Sequence, residues 1–441
     1  MSTRFLKGLG FAFGLLFGAA LAQADTPPMA PEHPVVLKAA HLFDGASGKL
    51  IDNGMVVVEG KKISAVGQRL EVPAGAQVID LGNATLLPGF IDSHVHLSGE
   101  MHDNYYKDFY QYTFRLPPEQ AFYAALYAKR TLEAGFTTVR NVGASDYISV
   151  GLRNAVNAGV TEGPRILTAV HAIGSTGGHA DQGPYPPNVV KPLGPIDGVC
   201  NGVAECRAAV RYQIKYGADV IKFMPSGGVL SESDPVDVPE LSQDEMDAIV
   251  SEAHAWHRKV AAHCHGDEAA RMAIAAGVDS IEHGTFLKDD TLKLMKEKGI
   301  YLVPTLFAGF WVGAKADNYP PQIAEKARAA SAQMMIMFQH AVKIGVPVAF
   351  GTDAGVEPHG QNAKEFSLMV KNGFTPTQAL MAGSHNAADL LGVSDVAGSL
   401  QAGKSADVVA VAGNPLDDIS TTEHPTFVMK EGTIYVGGGG T

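Results

Sequence analysis

Ala218-Asp219-Val220-Ile221-Lys222-Phe223-Met224 is the stretch on which the reading of this chain turns. Its short apolar run has the character of a strand buried on both faces. It also carries a lysine, and an ammonium is costly to bury unless something holds its nitrogen. Working outward, Asp92-Ser93-His94-Val95-His96 lies upstream, His263 and His283 follow, and Phe350-Gly351-Thr352-Asp353 closes the set. Lys222, His263, His283 and Asp353 each fall at or next to the end of their own short apolar run. Strands are expected at 86–94, 137–142, 165–170, 219–223, 260–263, 280–283, 301–305 and 346–352, with helix-length amphipathic segments between them. That alternation predicts an α/β fold, a (β/α)8 TIM barrel whose active site gathers at the carboxyl ends of the strands. The rival, a doubly wound open sheet, lacks a Gly-rich phosphate loop after its first strand.

The flanks read differently. Alternating segments at 35–39, 55–59, 62–66 and 77–81 are separated by turns such as Asp52-Asn53-Gly54 and Glu59-Gly60-Lys61, the pattern of a small antiparallel unit. Residues 406–411 and 426–436 look similar. One β-sandwich built from both chain ends is therefore expected, with residues 25–85 and 396–441 enclosing a barrel over 86–395.

Residues 1–24 form a separate object: Arg4 and Lys7, an apolar run from Leu9 to Leu21, then Ala22-Gln23-Ala24. This is the layout of a secretory signal peptide, and the run is short of the roughly 20 residues a bilayer requires. Export to the periplasm or medium follows, with no membrane attachment once the leader is removed. The formal net charge of -12 repels polyanions and excludes nucleic acid as a partner. Three cysteines cannot make a disulfide framework. Cys200 and Cys206 are near enough to pair, but free thiols are expected, and Cys264 should face away from its neighbours His263 and His265.

The period of two aims His94 and His96 into one cavity. Imidazoles and carboxylates suit a borderline divalent ion such as zinc. An ammonium cannot ligate a cation, so Lys222 is either a salt-bridged structural residue or a chemically altered one. A carbamate formed from CO2 would make it an anion able to bridge two metals. Less determined are His179 in Thr176-Gly177-Gly178-His179, a substrate contact or a plain loop residue, and Arg140, either a site for a substrate carboxylate or half of a buried ion pair. Tyr105, Tyr106, Tyr110 and Tyr112 form an aromatic cluster for which packing is the expectation.

Taken together, these motifs resemble the amidohydrolase superfamily, in its dipeptidase and carboxypeptidase branch of Xaa-Pro dipeptidase-like and imidazolonepropionase-like enzymes. Pro88-Gly89-Phe90-Ile91-Asp92-Ser93-His94-Val95-His96 looks like the opening motif, and Gly217 to Lys222 followed by Ser226-Gly227-Gly228-Val229 like the segment of the carboxylated lysine. Ala276 to Gly284 and Gly351-Thr352-Asp353 are similar to the later strand motifs. Ser384-His385-Asn386-Ala387-Ala388 through Ala406-Asp407 resembles the closing signature, with Ser384 where Thr is commoner.

The resemblance implies two divalent metal ions, zinc being the expectation. His94, His96 and Asp353 would hold one, His263 and His283 the other, and carbamylated Lys222 would lie between them. His265 competes with His263 and is otherwise a substrate contact. Asp353 would move the proton from water to the departing amine. Dipeptides or N-acyl amino acids are the implied substrates, and the branch includes secreted bacterial enzymes that split the amide of ochratoxin A. A homo-oligomer is implied too. The alternatives are a cyclic-amide hydrolase or deaminase, against which Lys222 argues, and a non-catalytic metal-binding homologue, against which the complete ligand set argues.

Overall fold

The computed structural model describes residues 31–437 except 103, 182, 184, 186, 187 and 233. The leader expected at 1–24 lies outside the described residues. Five strands open the chain: β1 (Val35–Phe43), β2 (Leu50–Glu59), β3 (Lys62–Gln68), β4 (Gln77–Asp80) and β5 (Ala84–Pro88). Seven more alternate with helices: β6 (Phe90–Val95), β7 (Phe136–Asn141), β8 (Arg165–Thr168), β9 (Val220–Phe223), β10 (Lys259–Cys264), β11 (Ser280–His283) and β12 (Tyr301–Val303). The chain ends on β13 (Val408–Ala412), β14 (Phe427–Lys430) and β15 (Thr433–Val436).

Both chain ends share one hydrogen-bonded sheet of eight strands, ordered β15-β14-β13-β5-β1-β2-β3 with β4 beside β1. Alternation along β1 and β2 gives the sheet two apolar faces. Leu37, Val56 and Val58 join Val408, Ala410 and Phe427 in one cluster, while Val36, Met55 and Val57 form another. The expected first barrel strand divides at Gly89. Leu86 to Pro88 pair with β13 in the terminal sheet, and only β6 joins the parallel strands. A Cβ at Gly89 would lie 2.1 Å from the Thr137 hydroxyl, so only glycine lets the chain change sheets there.

Strands β6-β7-β8 and β9-β10-β11-β12 are two parallel sets. Residues after β8 join them, since Ile173 N donates to Lys222 O and Met224 N to Ile173 O. The expected eighth strand, 346–352, forms no regular strand, yet Leu302 N donates to Pro347 O on one side and Ser93 N to Phe350 O on the other. Pro347 has no N–H to give a ladder. The Thr352 N–H goes instead to the Asp92 carboxylate, 3.1 Å away.

Candidate metal centre and active site

His94, His96, His263, His265 and His283 stand at or just past the carboxyl end of a parallel strand, where the backbone leaves regular geometry. His283, Thr305 and Asp353 adopt left-handed φ of 66°, 50° and 70°. Such conformations are disfavoured for residues with a side chain and persist where the surroundings hold them. Here the holding is visible: His283 Nδ1 and Thr305 Oγ1 are 2.7 Å apart, and Asp353 N donates to His94 O at 2.7 Å.

The tautomers of two imidazoles follow from their neighbours. His94 Nδ1 lies 2.7 Å from Glu282 Oε2, and His96 Nδ1 lies 3.0 Å from Gly143 O. Both partners only accept, so both Nδ1 atoms carry hydrogen and, in neutral rings, both Nε2 atoms are bare lone pairs. Those lone pairs point at the same oxygen, Asp353 Oδ1, from 3.3 and 3.2 Å. Three acceptors converging on one point repel unless a proton or a metal cation lies among them. His94 Nε2 is buried with no hydrogen-bond partner. The set fits a divalent ion with imidazole and carboxylate ligands, and Glu282 on the far side of His94 is the carboxylate that orients and strengthens such a ligand.

A second group lies beside it. One ligand atom each from His263, His265 and His283 falls within a 4.8 Å radius of the others, and another such group is His94, His283 and Asp353. Both His263, the ligand favoured from sequence, and His265 enter this cluster. His265 Nδ1 is 2.7 Å from Thr285 Oγ1, which leaves Nε2 toward the cavity. Burial pulls the pKa of His265 down to about 3 and that of His179 to about 4, and takes His263 and His283 well below the ordinary value. All four rings are thus held neutral, the state that ligates.

Lys222 is 1% exposed, and among the described residues no carboxylate pairs with its ammonium. Burial lowers its pKa to about 8, so a neutral amine is accessible near physiological pH. Cys264 faces away, into the apolar core.

Other expectations change. Arg140 does not reach the cavity: it is buried and donates to Ser93 O, Ser280 Oγ and Glu282 Oε1, the last at 2.8 Å. It neutralises Glu282 and cannot meet a substrate carboxylate. Glu282 itself was missed from sequence, although Ser280-Ile281-Glu282 places Ser280 and Glu282 on one face of β11, where a buried arginine needs them. His179 does enter the site, its ring centroid 4.5 Å from that of His263. Cys200 and Cys206 form a disulfide, contrary to the free thiols expected, because the start of helix Val203–Lys215 folds back and brings their Cα atoms to 5.0 Å. In the aromatic cluster Tyr106 and Tyr110 are exposed, whereas Tyr105 and Tyr112 line a cavity.

A match to the Amidohydrolase family spans residues 85–436. The chain belongs to the amidohydrolase family. Ochratoxinase from Aspergillus niger is 33% identical over 92% of this chain and 88% of its own length. The crystal structure of that ochratoxinase superposes with a TM-score of 0.81, at 32% identity, over 92% of this chain and 96% of its own. A Xaa-Pro dipeptidase solved with methionine in its active site gives a TM-score of 0.88 at 40% identity, over 92% of this chain and all (100%) of its own. A prolidase complexed with N-methylphosphonate-L-proline gives 0.83 at 30%, over 91% and 99%. This amidohydrolase is a hydrolase of TIM-barrel-like α/β fold, from a superfamily that is generally metal-dependent.

Proposed function

We propose that this amidohydrolase is a binuclear metal enzyme that cleaves the amide bond of a C-terminal amino acid in dipeptides or N-acyl amino acids. The observation that carries the reading is the convergence of imidazole nitrogens and the Asp353 carboxylate around a buried lysine that makes no ion pair among the described residues. His94, His96 and Asp353 would hold one ion and His263 and His283 the other, with Lys222 between them as a carbamate. His265 Nε2 lies close enough to serve the second ion or the substrate. Bound there, divalent cations supply Lewis acidity toward a carbonyl and acidify water.

The protein's own groups do the rest. The accessible neutral amine of Lys222 suits capture of CO2. Asp353, beside both His94 and His96, accepts a proton from water and returns it to the departing amine. His179, beside His263, orients the substrate carbonyl or carboxylate. Val229, Ala308, Gly309, Val312 and Met334 enclose a cavity of about 250 Å³ over the histidines, which keeps bulk water from the reacting bond. The names of the ochratoxinase and Xaa-Pro dipeptidase relatives support an amide substrate of this kind, ochratoxin A included.

The same reading takes the parallel segments as a closed (β/α)8 barrel over 86–395 and the terminal sheet as a small β-sandwich. It takes the Cys200–Cys206 disulfide as suited to an exported protein in an oxidising compartment, and the enzyme as a homo-oligomer. Among the described residues no helix is long and apolar enough to cross a membrane.

The test is a screen of zinc-reconstituted protein against dipeptides, N-acyl amino acids and ochratoxin A. Release of the free C-terminal amino acid, abolished by Asp353→Asn and Lys222→Ala, is the expected result. An active enzyme with an unmodified Lys222 amine, or with a single ion, would overturn the binuclear assignment.

A further inference from the structure

His179 enters the site from the irregular chain after β8, where no strand or helix holds it, so its aim has to be set by what packs against it. The loop after β9 does this. Gly228 lies against the imidazole so closely that a Cβ there would stand 2.0 Å from His179 Cε1. Ser231 Oγ is 3.1 Å from His179 Nδ1, and Asp234 Oδ2 is 3.9 Å from the same nitrogen, which leaves Nε2 for the cavity. The backbones are gripped as well. His179 N donates to Glu240 Oε2 at 2.9 Å, and Gly228 N donates to Asp234 Oδ2 at 2.6 Å.

Each grip uses one carboxylate oxygen. The others, Asp234 Oδ1 and Glu240 Oε1, are buried and have no hydrogen-bond partner among the described residues, yet the two side chains stand within hydrogen-bonding reach of each other. Two ionised carboxylates at that range only repel, whereas one proton between them satisfies both orphaned oxygens. Burial, with the charge of Asp234 beside it, raises the Glu240 pKa to about 7. Hydrogen bonds from Ser231 and Gly228 outweigh burial at Asp234 and keep it below its ordinary value, so the proton resides on Glu240. The other titratable groups facing the pair are His179, held neutral, and Lys326, whose ammonium is taken up by three carbonyls of the same loop.

We infer that Asp234 and Glu240 are positioning residues for His179: one proton held between their carboxyl groups clasps the chain that carries His179 to the loop after β9 and keeps the ring aimed at the substrate. What His179 meets in the cavity rests on the amide-cleaving reading; the clasp itself does not. It is closed while the pair keeps its proton and opens as pH rises through about 7, where two anions come to face each other. Opening moves His179 and leaves the other histidines on their strands, so substrate binding weakens more than the chemical step. KM should rise with pH while kcat does not fall in proportion.

Steady-state kinetics of the zinc-reconstituted enzyme on acetyl-L-phenylalanine, from about pH 6 to about pH 9, read that split. The wild-type KM should climb roughly tenfold across the range, the size of one lost hydrogen bond to a charged group. Glu240→Gln places an amide donor against Asp234 at every pH and should keep the low KM throughout. Glu240→Ala leaves the clasp open and should show the raised KM throughout, with thermal unfolding to establish that it is folded. A readout without turnover is NMR of the same zinc-reconstituted protein labelled with nitrogen-15 histidine, the His179 signals being assigned by their loss in His179→Gln. Those signals should shift as pH passes through about 7 in the wild type and stay still in Glu240→Gln. If no amide is split while the His179 signals behave in this way, the amide-cleaving reading fails and the clasp stands. His179 signals that respond to pH alike in wild type and Glu240→Gln, or a KM profile that the substitution leaves unaltered, would overturn the inference.

Discussion

Glu282 has no exposed surface and accepts hydrogen bonds from Arg140, Ser280 and His94, so one carboxylate serves both a buried arginine and a candidate metal ligand. Burial by itself would raise its pKa. The Arg140 guanidinium and the His94 hydrogen bond outweigh burial and hold it at about 2, below the ordinary 4.5. With the folded value depressed, the stabilisation is complete above pH 4.5 and drains away as pH falls from there through about 2. Thermal unfolding of Glu282→Gln should therefore depend less on pH in that acid range than wild type does. Glu282→Ala removes the partner of a buried arginine, a change that costs about 3–5 kcal/mol. It also frees the His94 ring, which should weaken metal binding by roughly 10–100-fold. Denaturant unfolding and competition with a zinc chelator measure the two effects separately.

Lys326, on helix Pro321–Ile344, donates to the carbonyls of Gly228, Ser231 and Asp234 at 2.7, 2.6 and 3.0 Å. It thereby pins the loop that carries Val229 and Leu230 into the cavities. Lys326→Met keeps the side chain's length and leaves three carbonyls without a donor, at about 1–3 kcal/mol for each that stays buried. The loop should loosen, so KM should rise more than kcat falls, as steady-state kinetics on a cleaved amide would show. At the same scale, the Cys200–Cys206 bridge closes a short loop ahead of its helix. Replacing both cysteines by serine should lower stability by about 2 kcal/mol through the freed unfolded chain. Matched denaturation curves with and without reductant check this: the wild type should respond to reductant and the double variant should not.

At the scale of the whole molecule, β5 sits between β1 and β13, so the two ends of the chain complete each other. A chain stopped before Val408 leaves β5 with a bare edge and uncovers Leu86 and its cluster, the kind of edge that recruits other chains. Such a protein should be found in the insoluble fraction, whereas the full chain should not.

The sequence by itself determined the alternation of strands and helices, the terminal β units, and the placing of His94, His96, Lys222, His263 and His283 at strand ends. Period and run length report the face a side chain takes within its own element, and all of these follow from that. Tertiary structure alone decided the break at Gly89, the irregular eighth segment, the union of Arg140 with Glu282, the pairing of Cys200 with Cys206, and the entry of both His263 and His265. Each of these depends on what lies across a gap between elements. Their packing sets those distances, and no spacing along the chain encodes them.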